Sequence, residues 1–254
     1  MIAAEIDPIS QFNLKKIFNI NLGGLDLSFT NSSLYMIVAV ALILLWMAVS
    51  TSKLSLIPSR AQSIVEMSYE FVADMLRNSA GKDGLRFFPF VFTLFIFILF
   101  ANMLGMFPYF FTTTSHLIVT FVLAMLVMLL VLGYGLLKHG LGFFKLFAPA
   151  GLPLATYILL TPIEIISFLS RPISLSIRLW ANVFAGHILL KLFAAFAVAL
   201  ATASGLGLKL MGIIPFIMAF ALTPLELLVA FVQAYVFALL TCVYLSDALH
   251  PGHH

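Results

Sequence analysis

The sequence predicts an all-α integral membrane protein: about five transmembrane helices and one interfacial amphipathic helix, with the last two spans long, oblique and folded into a hairpin. Three observations predict it. Of 254 residues, 63% are hydrophobic and only 9% are charged, against about 25% charged in ordinary globular proteins. A mean hydropathy of +1.14 and 26 Phe leave too little polar side chain to coat a water-facing surface. Charge-free windows of about 20 residues, enough to cross about 30 Å of hydrocarbon, recur along the chain. A soluble enzyme domain is excluded.

Residues 1–33 carry Glu5, Asp7, Pro8, Lys15, Lys16 and Asp26, which interrupt the apolar core that a secretory signal requires. They read as an external N-terminal segment ahead of a single membrane domain, 34–254. The first span is 34–52. An amphipathic helix at about 59–77 follows, with Ile64, Met67, Phe71 and Met75 at helical spacing and Glu66, Glu70 and Asp74 on another face. Spans 88–107 and 117–137 form an antiparallel pair around a turn containing Pro108 and Thr112, Thr113 and Thr114.

Beyond Leu154 charges recur inside apolar sequence: Glu164, Arg171, Arg178, His187, Lys191 and, after a break at Ser204 to Gly207, Glu226. As single helices, 154–202 and 209–249 would be about 70 Å and about 60 Å long, twice the hydrocarbon thickness. They must tilt, bend or leave the bilayer, and Pro215 and Pro224 offer bends in the second. Their charges require burial against other protein, because lipid does not tolerate them.

Basic residues set the orientation. Segment 53–86 has five (Lys53, Arg60, Arg77, Lys82, Arg86) and 138–145 has two (Lys138, Lys145), whereas 107–115 has none. These segments are expected inside, which puts the N-terminus outside and the C-terminus in the cytoplasm. Lys209, near the outer turn, runs against that count. The net charge of +3 is scattered, so nucleic acid is not an expected partner. Cys242 is the single cysteine and reads as packing. His250, His253 and His254 read as a solvated tail rather than a metal site, and no residue set supports covalent catalysis or a cofactor.

On a helical wheel Glu164, Ser167, Arg171, Ser174, Arg178 and Asn182 fall within about 40° of Arg178, while His187 lies on the opposite side. Glu226, Ala230, Gln233, Phe237 and Tyr244 form a second seam. An arginine at the centre of a span costs at least about 2.5 kcal/mol and needs an anion or water. Either Arg171 and Arg178 pair with Glu164 and Glu226 as static braces, or a cation is left over for a carboxylate on another chain. His187 and Glu226 are suited to passing protons in a wet crevice, although a histidine here could equally be a core or interface residue. Asn102, Gln233 and Tyr244 either line that path or satisfy nearby backbone.

The segment Ser174-Leu-Ser-Ile-Arg178-Leu-Trp-Ala-Asn182-Val-Phe-Ala-Gly-His187 resembles the signature of the subunit a family of F-type ATP synthases, with Glu164 fourteen residues earlier and Pro224-Leu-Glu226, Gln233-Ala-Tyr and Thr241-Cys-Val-Tyr-Leu in the last span. The resemblance implies a non-catalytic, proton-conducting stator with two offset half-channels, packed against the c-ring and joined by the peripheral stalk subunit b. It implies that Arg178 faces ring carboxylates with Asn182 and Gln233 beside it. His187, Glu226 and Asn102 would belong to the outer half-channel, Glu164 and Ser174 to the inner exit path, and Tyr244 to the proton path as well. Here the acid and imidazole stand interchanged relative to many bacterial members, as in mitochondrial relatives, and Gly105 stands where many carry an acid. A bacterial plasma membrane is the expected location, with the mitochondrial inner membrane as alternative. The rival reading from the residues alone is a stand-alone ion-coupled transporter or channel.

Overall fold

The computed structural model describes residues 12–19, 21–22, 25–26, 28–52, 57–107, 110–140, 142–143 and 154–249. In hydrocarbon every backbone N–H and C=O must be satisfied within the protein, so the apolar windows become helices. Among the described residues, five helical stretches are long and apolar enough to cross a membrane: Asn31–Thr51, Arg60–Gly105, Leu117–His139, Leu159–Ala201 and Leu206–Leu249.

The N-terminal segment contains a small ribbon that its composition does not announce. Strand β1 (Lys16–Phe18) pairs antiparallel with β4 (Phe29–Thr30), and β2 (Asn21–Leu22) pairs with β3 (Leu25–Asp26) inside it. Asn31 ties the ribbon to the first span: its side chain donates to the Asn13 carbonyl at 3.2 Å and accepts from the Lys15 N–H at 3.2 Å. Helix α1 (Asn31–Thr51) starts there, its N-cap Thr30 accepting from the Ser33 N–H.

Helix α2 (Arg60–Gly84) is capped by Ser59, which accepts from the Gln62 N–H, and it runs past its expected end with Gly81 at φ 67 inside it. Of the four apolar residues expected on one face, only Met75 is buried. Val65, Val72 and Leu76 form the side turned to α3 and α7, Phe71 stays partly exposed while its ring meets Phe95, Phe231 and Tyr235, and Ile64 and Met67 form an apolar outer surface. Helices α3 (Phe88–Gly105) and α4 (Leu117–His139) are joined through a short 3-10 turn at Thr113–Ser115.

The last two spans are α5 (Leu154–Ala201), then α6 (Leu206–Met211) and α7 (Ile213–Leu249). The second arm, expected as one helix from 209, breaks at Gly212. A Cβ there would lie 3.2 Å from Leu200 Cβ and 3.3 Å from the Ala197 carbonyl, so glycine lets the two arms approach closely just beyond the turn. Pro215 sits in the first turn of α7, where an N–H has no intrahelical partner anyway. Only Pro224 interrupts the interior of α7, whereas α5 contains Pro162 and Pro172. With 48 residues α5 is about 72 Å long, and with 37 residues α7 is about 56 Å long. Neither stands upright in about 30 Å of hydrocarbon, so both run obliquely.

Helix α5 packs most extensively on α7 and α4, and α7 also packs on α2 and α3. The core between them includes Phe95, Ile98, Leu179, Phe237, Cys242 and Leu245, so Cys242 is the packing residue its context suggests. At one end of the bundle Arg86 donates to the Tyr134 hydroxyl at 2.8 Å, and Lys138 and His139 reach the Leu249 carbonyl at 3.4 and 3.3 Å. At the other end Phe12 meets Phe184 at 5.0 Å between centroids, and Tyr35 meets Phe110 at 5.6 Å. Arg86, Lys138 and the end of α7 thus share one end, and the ribbon and Phe110 share the other, whereas the start of α2 does not follow the charge count: Ala61, next to Arg60, lines a groove with Met103, Leu104 and Phe107. Lys53, Pro108, Lys145, His250, His253 and His254 lie outside the described residues.

Candidate functional site

The polar stripe of α5 faces outward. Ser167, Ser174 and Arg178 are exposed, and Glu164, Arg171 and Asn182 are half-buried. Arg178 makes no ion pair with a described residue. The static pairing of Arg171 and Arg178 with Glu164 and Glu226 does not occur. Arg171 instead donates to Asp247 at 2.6 Å, with side chains 19% and 9% exposed, and its guanidinium lies 5.0 Å over the Tyr244 ring and 5.6 Å over Phe168. The physical reason is axial level. Seven residues separate the two arginines by about 10.5 Å along the helix, Asp247 at the end of α7 meets the first, and Glu226 meets His187 farther along. Arg171, Asp247 and Tyr244 therefore brace α5 to α7, and among the described residues no acid pairs with Arg178.

The seam of α7 turns the other way. Glu226, Ala230, Gln233 and Phe237 are all buried, and Tyr244 is half-buried. Glu226 Oε1 lies 3.4 Å from His187 Nδ1, close enough for an ion pair but not aligned for a hydrogen bond. Both carboxylate oxygens are buried without a hydrogen-bond donor. Gly186 makes the space: a Cβ there would stand 2.9 Å from Glu226 Oε1, closer than real Cβ contacts come.

His187 is held from its far side. Its Nε2 lies 3.1 Å from the Thr112 hydroxyl, which donates to the Gly105 carbonyl at 3.2 Å. Nearby, the Thr114 hydroxyl donates to Asn102 Oδ1 at 2.8 Å, and Asn102 Nδ2 donates to the Ala230 carbonyl at 3.3 Å. Asn102 thus satisfies backbone and also lines, with Asn182, His187 and Glu226, a narrow cavity of about 10 Å³, room for about one water molecule. A wider open crevice of about 730 Å³ begins at the ribbon, where Lys15 and Asn31 line it, passes Tyr35 and Lys191, and ends on His187. Crevice and cavity share His187 and Met106. His187 thus stands between the crevice at the ribbon end and the cavity that holds Glu226 and Asn182, and Asn182 is one helical turn from Arg178.

Of the nine residues singled out in the sequence, four (Asn102, Asn182, His187 and Glu226) converge on this cavity. Arg178 and Ser174 are exposed on α5, and half-buried Glu164 belongs to the same stripe. Gln233 is buried two turns beyond Glu226, and Tyr244 belongs to the brace. Thr112, Thr114, Gly186 and Asp247 were not anticipated. Asp247 had one legible sign, as an acid close behind Tyr244 in apolar sequence; the threonines had none, since their partners are set by tertiary contact.

The sequence model of the family described as ATP synthase A chain matches residues 33–246. The chain belongs to that family. Full-length relatives agree with the assignment. It is 59% identical over 253 residues, covering all of both chains, to an ATP synthase subunit a of Mesorhizobium japonicum. It is 60% identical to one of Chelativorans sp., covering 97% of this chain and 99% of the relative, and 58% identical to one of Hyphomonas neptunium, covering all of both. As a family member the chain is a multi-pass, non-catalytic, proton-conducting stator subunit of the membrane sector of an F-type ATP synthase, and its partners are other subunits of that complex. The rival assignment to a stand-alone transporter or channel falls with this finding.

Proposed function

We propose that Arg178 faces the carboxylates of a c-ring turning past α5 and that the route through His187 and Glu226 is the outer half-channel supplying them with protons. One observation carries the reading: an always-charged guanidinium in the middle of a membrane helix is exposed and pairs with no acid among the described residues, although Arg171 two turns away is paired with Asp247. Such a charge needs an anion from outside the subunit. The ring acid is near neutral in lipid, and close to Arg178 its ionised form is favoured. Its proton leaves along the stripe bearing Ser174 and Glu164. A proton arriving past Lys15, His187 and Glu226 neutralises the next carboxylate, with Asn182 and Gln233 flanking the transfer point.

Arg178 also bars a direct leak, because a proton cannot cross a fixed positive charge without first being carried around on the ring. Each charge moved across the membrane yields about 2.3 kcal/mol per 100 mV, which biases rotation in one direction. The exposed apolar side chains of α1 and α2, among them Leu44, Leu45, Ile64 and Met67, offer the peripheral stalk subunit b a surface separate from the polar stripe of α5. The bacterial relatives support a plasma-membrane location, and the basic Arg86 and Lys138 at one end support a cytoplasmic position for that end, with the ribbon outside.

The test is Arg178→Lys in the assembled enzyme. Lysine keeps a positive charge in water but deprotonates when buried and lacks the planar fork, so ATP-driven proton pumping into inverted vesicles is expected to vanish while the ATPase sector still assembles. Normal pumping by that variant would refute the role.

A further inference from the structure

We propose that Thr112 is a positioning residue for the proton path: it fixes the tautomer of His187, so that Nε2 carries the N–H of the neutral ring and Nδ1 is the basic atom facing Glu226. This rests on the outer half-channel reading above. The argument begins with the end of α3. The Gly105 carbonyl closes that helix and has no N–H one turn ahead within it, so it needs another donor. Among the described residues that donor is the Thr112 hydroxyl, at 3.2 Å.

A hydroxyl has one proton to give, and this one is committed to a carbonyl, which only accepts. The 3.1 Å contact between Thr112 Oγ1 and His187 Nε2 is then made by the ring donating. Nε2 therefore carries the N–H, and in the neutral ring Nδ1 is a bare lone pair. That lone pair is the atom 3.4 Å from Glu226 Oε1. Two acceptors facing each other across a buried gap repel unless a proton lies between them, and the Glu226 oxygens have no other donor. A proton on the Glu226 carboxyl relieves that repulsion, and a small side-chain rotation brings it into line with Nδ1. When it moves from the carboxyl oxygen to Nδ1 an O–H bond breaks, an N–H bond forms, and the pair passes from acid plus imidazole to carboxylate plus imidazolium with unchanged net charge.

The backbone is shaped for this arrangement. A Cβ on Gly105 would fall 2.5 Å from Thr112 Cγ2 and 2.6 Å from its Oγ1, so any larger residue there evicts the threonine from its position between α3 and His187. The turn that presents Thr112 is itself fastened, with Ser115 Oγ donating to the Thr112 carbonyl at 2.6 Å and Thr114 holding Asn102.

Packing and hydrogen bonding predict opposite outcomes for two near-isosteric changes. Thr112→Val keeps shape and removes the hydroxyl; Thr112→Ser keeps the hydroxyl and removes a methyl. ATP-driven pumping is measured in inverted vesicles and normalised to assembled complex, with Glu226→Gln in the same series. The inference expects Thr112→Val to slow pumping about five- to tenfold, on the scale of one lost buried hydrogen bond, Thr112→Ser to keep most of the wild-type rate, and Gly105→Ala to behave as Thr112→Val does. Normal pumping by Thr112→Val, or a loss in Thr112→Ser as large as in Thr112→Val, overturns it while a defective Glu226→Gln leaves the half-channel reading standing. Normal pumping by Glu226→Gln overturns both.

Discussion

A guanidinium stays protonated at any pH a cell meets, so the position of Arg178 is a commitment to a permanent charge. Arg178, His187, Glu226 and Asn182 were legible in the sequence because charged and amide groups inside apolar helices have few structural uses. Thr112 was not, since a threonine before a helix reads as turn chemistry, and its contact with His187 spans 75 residues of chain. The acid and imidazole in the cavity face one another, so they are expected to act as a unit. Exchanging one alone, His187→Glu or Glu226→His, places two like groups 3.4 Å apart and is expected to cut pumping about tenfold, whereas the double exchange recovers most of it, a coupling of about 1.4 kcal/mol. ATP-driven acidification of vesicles from the three strains checks this, and a double variant as defective as either single would show that the two act independently.

At the level of elements, the spans followed from composition alone, because about 20 apolar residues have one stable conformation in hydrocarbon. The N-terminal ribbon did not, since its strands are only two or three residues long and are fixed by the Asn31 contacts rather than by alternation. The break at Gly212 also escaped notice, as it reflects the approach of α5. The Arg171–Asp247 brace joins the two long helices, and its members are mostly buried. Removing one partner, by Arg171→Met or Asp247→Leu, leaves a charge stranded and is expected to destabilise the subunit by about 3 kcal/mol, while the double change costs much less. Thermal stability of the detergent-solubilised complex, or the amount of assembled enzyme, distinguishes these cases; a double variant no better than the singles would show that the helices are held by packing alone.

For the whole molecule, the proposed mechanism rests on the opposed faces of α5. His187 on one side closes the inner end of a crevice that opens beside the ribbon, and Arg178 on the other stands at the surface with no acid among the described residues to neutralise it. The wheel placed the two on opposite sides, but only the packing of α5 on α7 and α4 shows which side is covered. Proximity to the ring tests the central claim most directly. A cysteine placed at exposed Ser174, about one turn from Arg178, in a Cys242→Ser background, is oxidised in the assembled enzyme against a cysteine beside the ring carboxylate, with Leu129→Cys on the exposed side of α4 as comparison. A disulfide between Ser174→Cys and the ring, and none from Leu129→Cys, is the outcome expected. Crosslinking from α4 with none from α5 would show that the arginine face is turned away from the rotor.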